Sequence, residues 1–138
     1  MTTLTQQTRQ KLELASQDMT PGLPRLPHIP SDWLNPDLSP QQQEENLLHV
    51  ALWIVERDRH NLNMEKWHSV SVPYVTYHNC GTVHCIAGFA QVMAGPLTFD
   101  YYPAGVGRVL LGLEAYSHFY DDSEDALTFL QEVISRNS

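Results

Sequence analysis

The chain has 138 residues, of which 42% are hydrophobic, and a formal net charge of −8. That length suits one domain with room for an arm. The acidic balance argues against non-specific binding to nucleic acid or to an anionic membrane surface, and leaves another protein as the expected partner. No apolar run approaches the roughly 18 residues of a membrane span. Met1 to Gln10 is polar and lacks the apolar stretch of a secretory signal. The expected location is therefore the cytoplasm, where the two cysteines would rest as free thiols.

The first predicted element is a short helix over about 4–17, with a thin apolar stripe of Leu4, Leu12, Leu14 and Ala15. A helix of that kind is marginal unless it docks on something. Pro21, Pro24, Pro27 and Pro30 then fall at every third position, with Pro36 and Pro40 beyond them. Polyproline II repeats every three residues, so these prolines share one edge of an extended arm. Leu23, Leu26 and Ile29 form a second edge, and Trp33 and Leu34 follow as anchors. Such an arm either straps across its own domain or docks in an aromatic-lined groove on a partner. Residues 1–39 are thus read as helix and arm, and 40–138 as a helical domain.

Ser39, Pro40 and Gln42 make a capping box with proline at the first helical position, which predicts a helix over about 40–60. Leu47, Leu48, Val50, Ala51, Leu52, Ile54 and Val55 fill one arc of it. Glu45, His49, Trp53, Glu56 and His60 fall on the other, with Glu45/His49 and Glu56/His60 spaced for weak i,i+4 pairs. Trp53 is out of place on a solvated face, so the arm or a partner is expected to cover it. Val70, Val72, Tyr74, Val75 and Tyr77 suggest an extended connection, restricted by Pro73 and pinned by Trp67.

Residues 80–95 form the least polar stretch, closed by Gly95 and Pro96. A helix over about 82–94 that is apolar almost all round belongs at the centre of the fold. With Gly81 as N-cap, Cys80 and Cys85 take the N′ and N4 positions of a hydrophobic staple. The same two thiols, close together, could also form a redox pair. His68, His78, Cys80, His84 and Cys85 lie within 18 residues and hold the ligand types of a zinc site, although no C-x-x-C or H-x-x-x-H spacing is present. His84, Gly88 and Gln91 share a stripe that suits a close helix crossing, with the polar side chains satisfied internally.

A loop over 97–102, a helix from Pro103 to about 112, a short helix over about 115–120 and a last helix over about 123–136 complete the chain. Gly105 and Gly107 weaken the second of these and permit close packing. Asp121, Asp122, Glu124 and Asp125 read as a cap with acids in the first turn. They lack the ligand order of a calcium loop. The fold class is mainly α: a single compact domain of four to six helices around the central helix, with the proline-rich arm attached.

Trp67-His68 and the run Cys80-Gly81-Thr82-Val83-His84-Cys85-Ile86-Ala87-Gly88-Phe89-Ala90 resemble a C-G-T-x-x-C-x-A-G-[WF]-A signature of small helical proteins of bacteria and phages. Those proteins also carry a leucine-rich segment and an aromatic turn, similar to Val109 to Leu113 and Phe119-Tyr120 here. This chain has Phe89 where tryptophan is commoner, and a longer loop between Trp67 and Cys80. The resemblance covers about 45–135, implies a helical fold and carries no activity.

The sequence shows no phosphate-binding glycine loop, no G-x-S-x-G and no H-E-x-x-H. The expectation is a non-enzymatic cytoplasmic protein that binds another protein through Leu23, Leu26, Ile29 and Trp33 of the arm, together with Trp53. The alternative is a thiol or zinc site built on Cys80 and Cys85 with the nearby histidines. A third is an acidic inhibitor that mimics nucleic acid, using Asp121, Asp122 and Asp125. A homo-oligomer stays open under each.

Overall fold

The computed structural model describes residues 2–16, 23–62, 64 and 85–138. Among them it has six α-helices: α1 Leu4–Ser16, α2 Pro40–Arg57, α3 Ile86–Ala94, α4 Pro103–Leu111, α5 Leu113–Tyr116 and α6 Ser123–Arg136. They pack as a single compact helical bundle. No helix among the described residues is long and apolar enough to cross a membrane. The extended connection expected at 70–77 lies outside the described residues.

α2 is the hub, in contact with α1, α3, α4 and α6. Its start is set locally: the Ser39 side chain accepts from the Gln42 N–H, and the Gln42 side chain accepts from the Ser39 N–H. Leu47, Leu48, Val50, Ala51, Leu52 and Ile54 are fully buried or nearly so. The five Leu, Val and Ile side chains among them, at about 2 kcal/mol each relative to exposure, anchor the bundle.

α1 docks on α2 with an unusual stripe. Its buried positions are Thr5, Thr8 and Leu12, spaced at i, i+3 and i+7. Two of the three are threonines, which is why its apolar face looks thin in the sequence. The Thr5 hydroxyl donates to the Ile134 carbonyl, so its burial is compensated by a hydrogen bond to α6. Arg9 forks onto Glu56 of α2 at 3.0 and 2.8 Å.

α3 and α4 cross closely. The contact point is Gly107, where an added Cβ would stand 2.7 Å from Phe119 and 3.1 Å from Ala87 of α3. α3 is buried along almost its whole length, as its composition requires. Gly95 at φ 100 and Gly112 at φ 96 end α3 and α4 in backbone that side chains seldom adopt. The last helix begins where the acids predict: Asp122 is its N-cap and accepts from the Asp125 N–H at 2.8 Å. At its far end Arg136 bridges Glu44 of α2 and Glu114 of α5, while the Asn137 amide also donates to Glu44.

Several boundaries differ from expectation. α2 ends at Arg57 rather than near 60, α3 starts at Ile86 rather than near 82, α5 covers Leu113–Tyr116 rather than 115–120, and the 97–102 loop opens with a 3₁₀ turn, Pro96–Thr98. That turn is locked by its own side chains. Thr98 donates to the Gln91 and Gly95 carbonyls, and Gln91 donates to the Thr98 and Tyr101 carbonyls. Gln91 therefore stabilises a turn, which accounts for a buried amide on an apolar helix.

Candidate functional site

The cysteine end of α3 is organised differently from the staple. Cys85 is itself the N-cap, with extended backbone (ψ 178), and its Sγ accepts from the Gly88 N–H at 3.3 Å. Cys85 thus stands at the cap of the helix rather than at its fourth residue, and Cys80 and Gly81 lie outside the described residues. The helix carries Gly88 and Gln91 of the expected stripe, and its third member, His84, lies outside the described residues. A close approach of the kind expected at Gly88 is observed at Gly107. Cys85 is 1% exposed. Burial pushes its thiol up to about 11, against the opposing pull of the Gly88 N–H. Buried and protonated, Cys85 packs as a small apolar group. His68, His78, Cys80 and His84 lie outside the described residues. Among the described residues no three His, Cys, Asp or Glu side chains gather as a metal site.

The polar arc of α2 is also rearranged. Neither local pair forms as spaced: Glu45 turns to His28 of the arm, and Glu56 turns to Arg9 of α1. His49 is 5% exposed and faces the Pro24 carbonyl at 3.2 Å. Because that partner is an acceptor, the ring is assigned the tautomer that donates from Nε2. Burial lowers its pKa to about 4, and Lys11 adds to the fall, so the imidazole is neutral near neutral pH. Trp53 is half-buried. Its indole N–H donates to Asp58 at 3.0 Å, and the Arg57 guanidinium lies 5.8 Å from its ring centroid. Its cover includes the C-terminal turn of its own helix.

These interactions form a clasp on the arm. Asn46, fully buried, accepts from the His28 N–H at 3.1 Å and donates to the His28 carbonyl at 2.7 Å and the Leu110 carbonyl at 3.1 Å. The Leu26 N–H donates to the Met93 carbonyl of α3 at 3.3 Å. Leu26 is 4% exposed and belongs to the core, while Leu23, Ile29 and Trp33 pack on it half-buried. One edge of the arm is thus inside the domain. The sequence signal for the clasp was a lone asparagine ahead of the α2 apolar run, and it is a weak one.

The arm's outer edge meets α4 in a different kind of surface. Trp33 and Leu34 on one side, and Tyr101, Tyr102, Gly105 and Val109 on the other, line a groove of about 230 Å³. The Trp33 and Tyr101 rings stand 6.2 Å apart, tilted by 36°. Leu34 is 79% exposed, Tyr102 63% and Tyr101 41%. An Asx turn holds Leu34 out: the Asp32 carboxylate accepts from the Leu34 N–H at 2.9 Å and from the Asn35 amide at 3.2 Å. Those hydrogen bonds, the Leu34 N–H first, keep the Asp32 carboxyl below its usual range. Sequence reasoning named Trp33 but missed Tyr101, Tyr102 and Gly105, because nothing local tells an aromatic loop facing solvent from one facing the core.

The acidic run has local duties. Asp122 caps α6, and Asp121 pairs with His118, whose ring stacks on Phe129 at 3.9 Å. Compared with protein-family models, with curated proteins and with solved structures, the chain matches none.

Proposed function

We propose that the protein acts by binding another protein, through the face where the proline-rich arm meets α4. The observation that supports this most is the exposure of Leu34, Tyr101 and Tyr102 around one groove. Clustered large apolar side chains on a small domain cost solubility and are the ordinary mark of a docking surface. The arm residues divide the work: Leu26 fixes the arm to the core, and Trp33 and Leu34 present its outer edge. We place this activity in the cytoplasm and assign it no catalytic step.

Removing the arm does not test this, because Leu26 and the Asn46 clasp would be lost with it. Leu34→Asp alters the surface and spares the core. Affinity capture from cells of the source, with the full chain and with this variant, is the experiment. The wild type should recover a partner that Leu34→Asp loses. Equal recovery by both would remove this face from the account.

A further inference from the structure

Gly105 occupies the middle of α4, is exposed, and would meet nothing within 4 Å if it carried a Cβ. Glycine inside a helix is less favourable than alanine, and here neither its φ nor its packing asks for it. Positions that break a local rule without a structural return are where function is to be sought. Gly105 lines the groove together with Trp33 and Tyr101, and its missing side chain leaves that part of the groove open.

The walls then specify what fits. The Trp33 and Tyr101 rings, in tilted contact with each other, make one aromatic wall, a surface that suits the flat face of a pyrrolidine ring. A polyproline II segment also presents unpaired carbonyls, which donors such as the Tyr101 hydroxyl and the Trp33 indole N–H can satisfy, and it enters already ordered. Charge stands next to the lining residues in the chain. Each ring of the pair is preceded in the chain by an exposed aspartate, Asp32 and Asp100. Asp32 is held in place by its turn and, as a carboxylate, retains acceptor capacity beyond the two bonds it makes. The single cation of α4, Arg108, lies over the Tyr116 ring at 5.8 Å from its centroid.

We propose that this groove holds a proline-rich segment of a partner protein in the polyproline II conformation, with a basic residue of that segment set against Asp32 and Asp100. The inference rests on the protein-binding reading above and names the chemistry of the partner. The arm's own proline-rich edge cannot serve in its own molecule, since Leu26 and the Pro24 carbonyl are engaged with the core and with His49.

The test uses the full chain and three fluorescent peptides: a Pro-Leu-Pro repeat with a terminal arginine, the same repeat with glutamate in its place, and the arginine peptide with alanine for every proline. Anisotropy titration should show the arginine–proline peptide binding about tenfold more tightly than either of the others. Gly105→Leu fills the groove with a better helix former and should weaken that peptide by about tenfold without lowering the melting temperature. Equal binding of the three peptides, binding of none, or unchanged binding by Gly105→Leu each overturns the proposal. So does a dimer in sedimentation that Gly105→Leu dissolves, since the groove would then hold a second copy. If the peptides fail while Leu34→Asp still loses its captured partner, the protein-binding reading survives and only the proline chemistry falls. If both assays are indifferent, both readings fall together.

Discussion

α3 and the arm invite opposite readings and end in opposite roles. α3 carries the residue types of chemistry, and the fold seals it: Cys85 is buried at the N-cap and Gln91 is consumed by a turn. The arm reads as a segment that straps its own domain or docks on a partner, and the fold fixes it by its inner edge to α2 and α3 while leaving its outer edge in solvent. Reactive residue types become structural when the chain around them is apolar enough to bury them. An extended segment becomes a surface when a second element closes a groove against it.

The sharpest way to break that contrast is to ask whether Cys85 reacts. In a Cys80→Ser background, a thiol pushed from 9.0 up to about 11 and 1% exposed should alkylate far more slowly in the folded chain than in urea. The pKa rise alone gives about a hundredfold, since two units cut the thiolate fraction by that factor near neutral pH. Mass spectrometry of iodoacetamide-treated protein reads it directly. Equal rates with and without urea would return α3 to the list of active sites.

The clasp comes next. Asn46→Ala leaves the His28 N–H and carbonyl and the Leu110 carbonyl without their partner inside the protein. The expected loss is about 3 kcal/mol, seen as a lower urea midpoint. A loss near zero would mean that the arm is not fastened there. His49 gives the clasp a pH signature of similar size. Its pKa is about 4 in the fold and near 6.5 when unfolded, so the unfolded chain binds the proton first as pH falls. This contribution is therefore complete above about pH 6.5, declines towards pH 4 and levels off below, by up to about 3 kcal/mol. Denaturation at pH 7 and pH 5 should show the decline in the wild type and a flatter profile in His49→Gln. Parallel profiles would place the imidazole in solvent.

Much of the architecture was legible because it is written locally. Ser39-Pro40-x-Gln42 gives the start of α2, Gly95-Pro96 the end of α3, and Asp122 the start of α6, and each signal acts within one turn of its own position. What stayed hidden is tertiary competition. Glu45 had His49 four residues away and chose His28, and Glu56 had His60 and chose Arg9. An exposed i,i+4 pair contributes only about 0.2–0.5 kcal/mol, so a partner brought by packing easily outbids it. The burial of His49 follows from the arm and α1 covering its face, which no helical wheel displays. The start of α3 was misjudged for a related reason: a cysteine is not among the usual capping residues, yet Sγ takes the Gly88 N–H. The groove was illegible because it exists only where residues 33–34 and 101–109 meet.

Two glycines on α4, two positions apart, turn the same contrast into its finest measurement. At Gly107 a Cβ would stand 2.7 Å from Phe119 Cζ and 2.8 Å from Cε2, within a buried crossing. Gly107→Ala should cost about 2 kcal/mol, because overpacking exceeds the gain in helix propensity. At Gly105 the same change meets open space. It should stabilise the chain by about 0.5–1 kcal/mol, by removing conformational freedom from the unfolded state and improving the helix. Thermal melts of the two single variants should therefore move in opposite directions. If Gly105→Ala destabilises instead, the glycine answers a structural need, and the argument that it is kept to hold the groove open is lost. If it stabilises, the protein is measurably less stable than its own fold allows at one exposed position, and that position lines the groove with Trp33 and Tyr101.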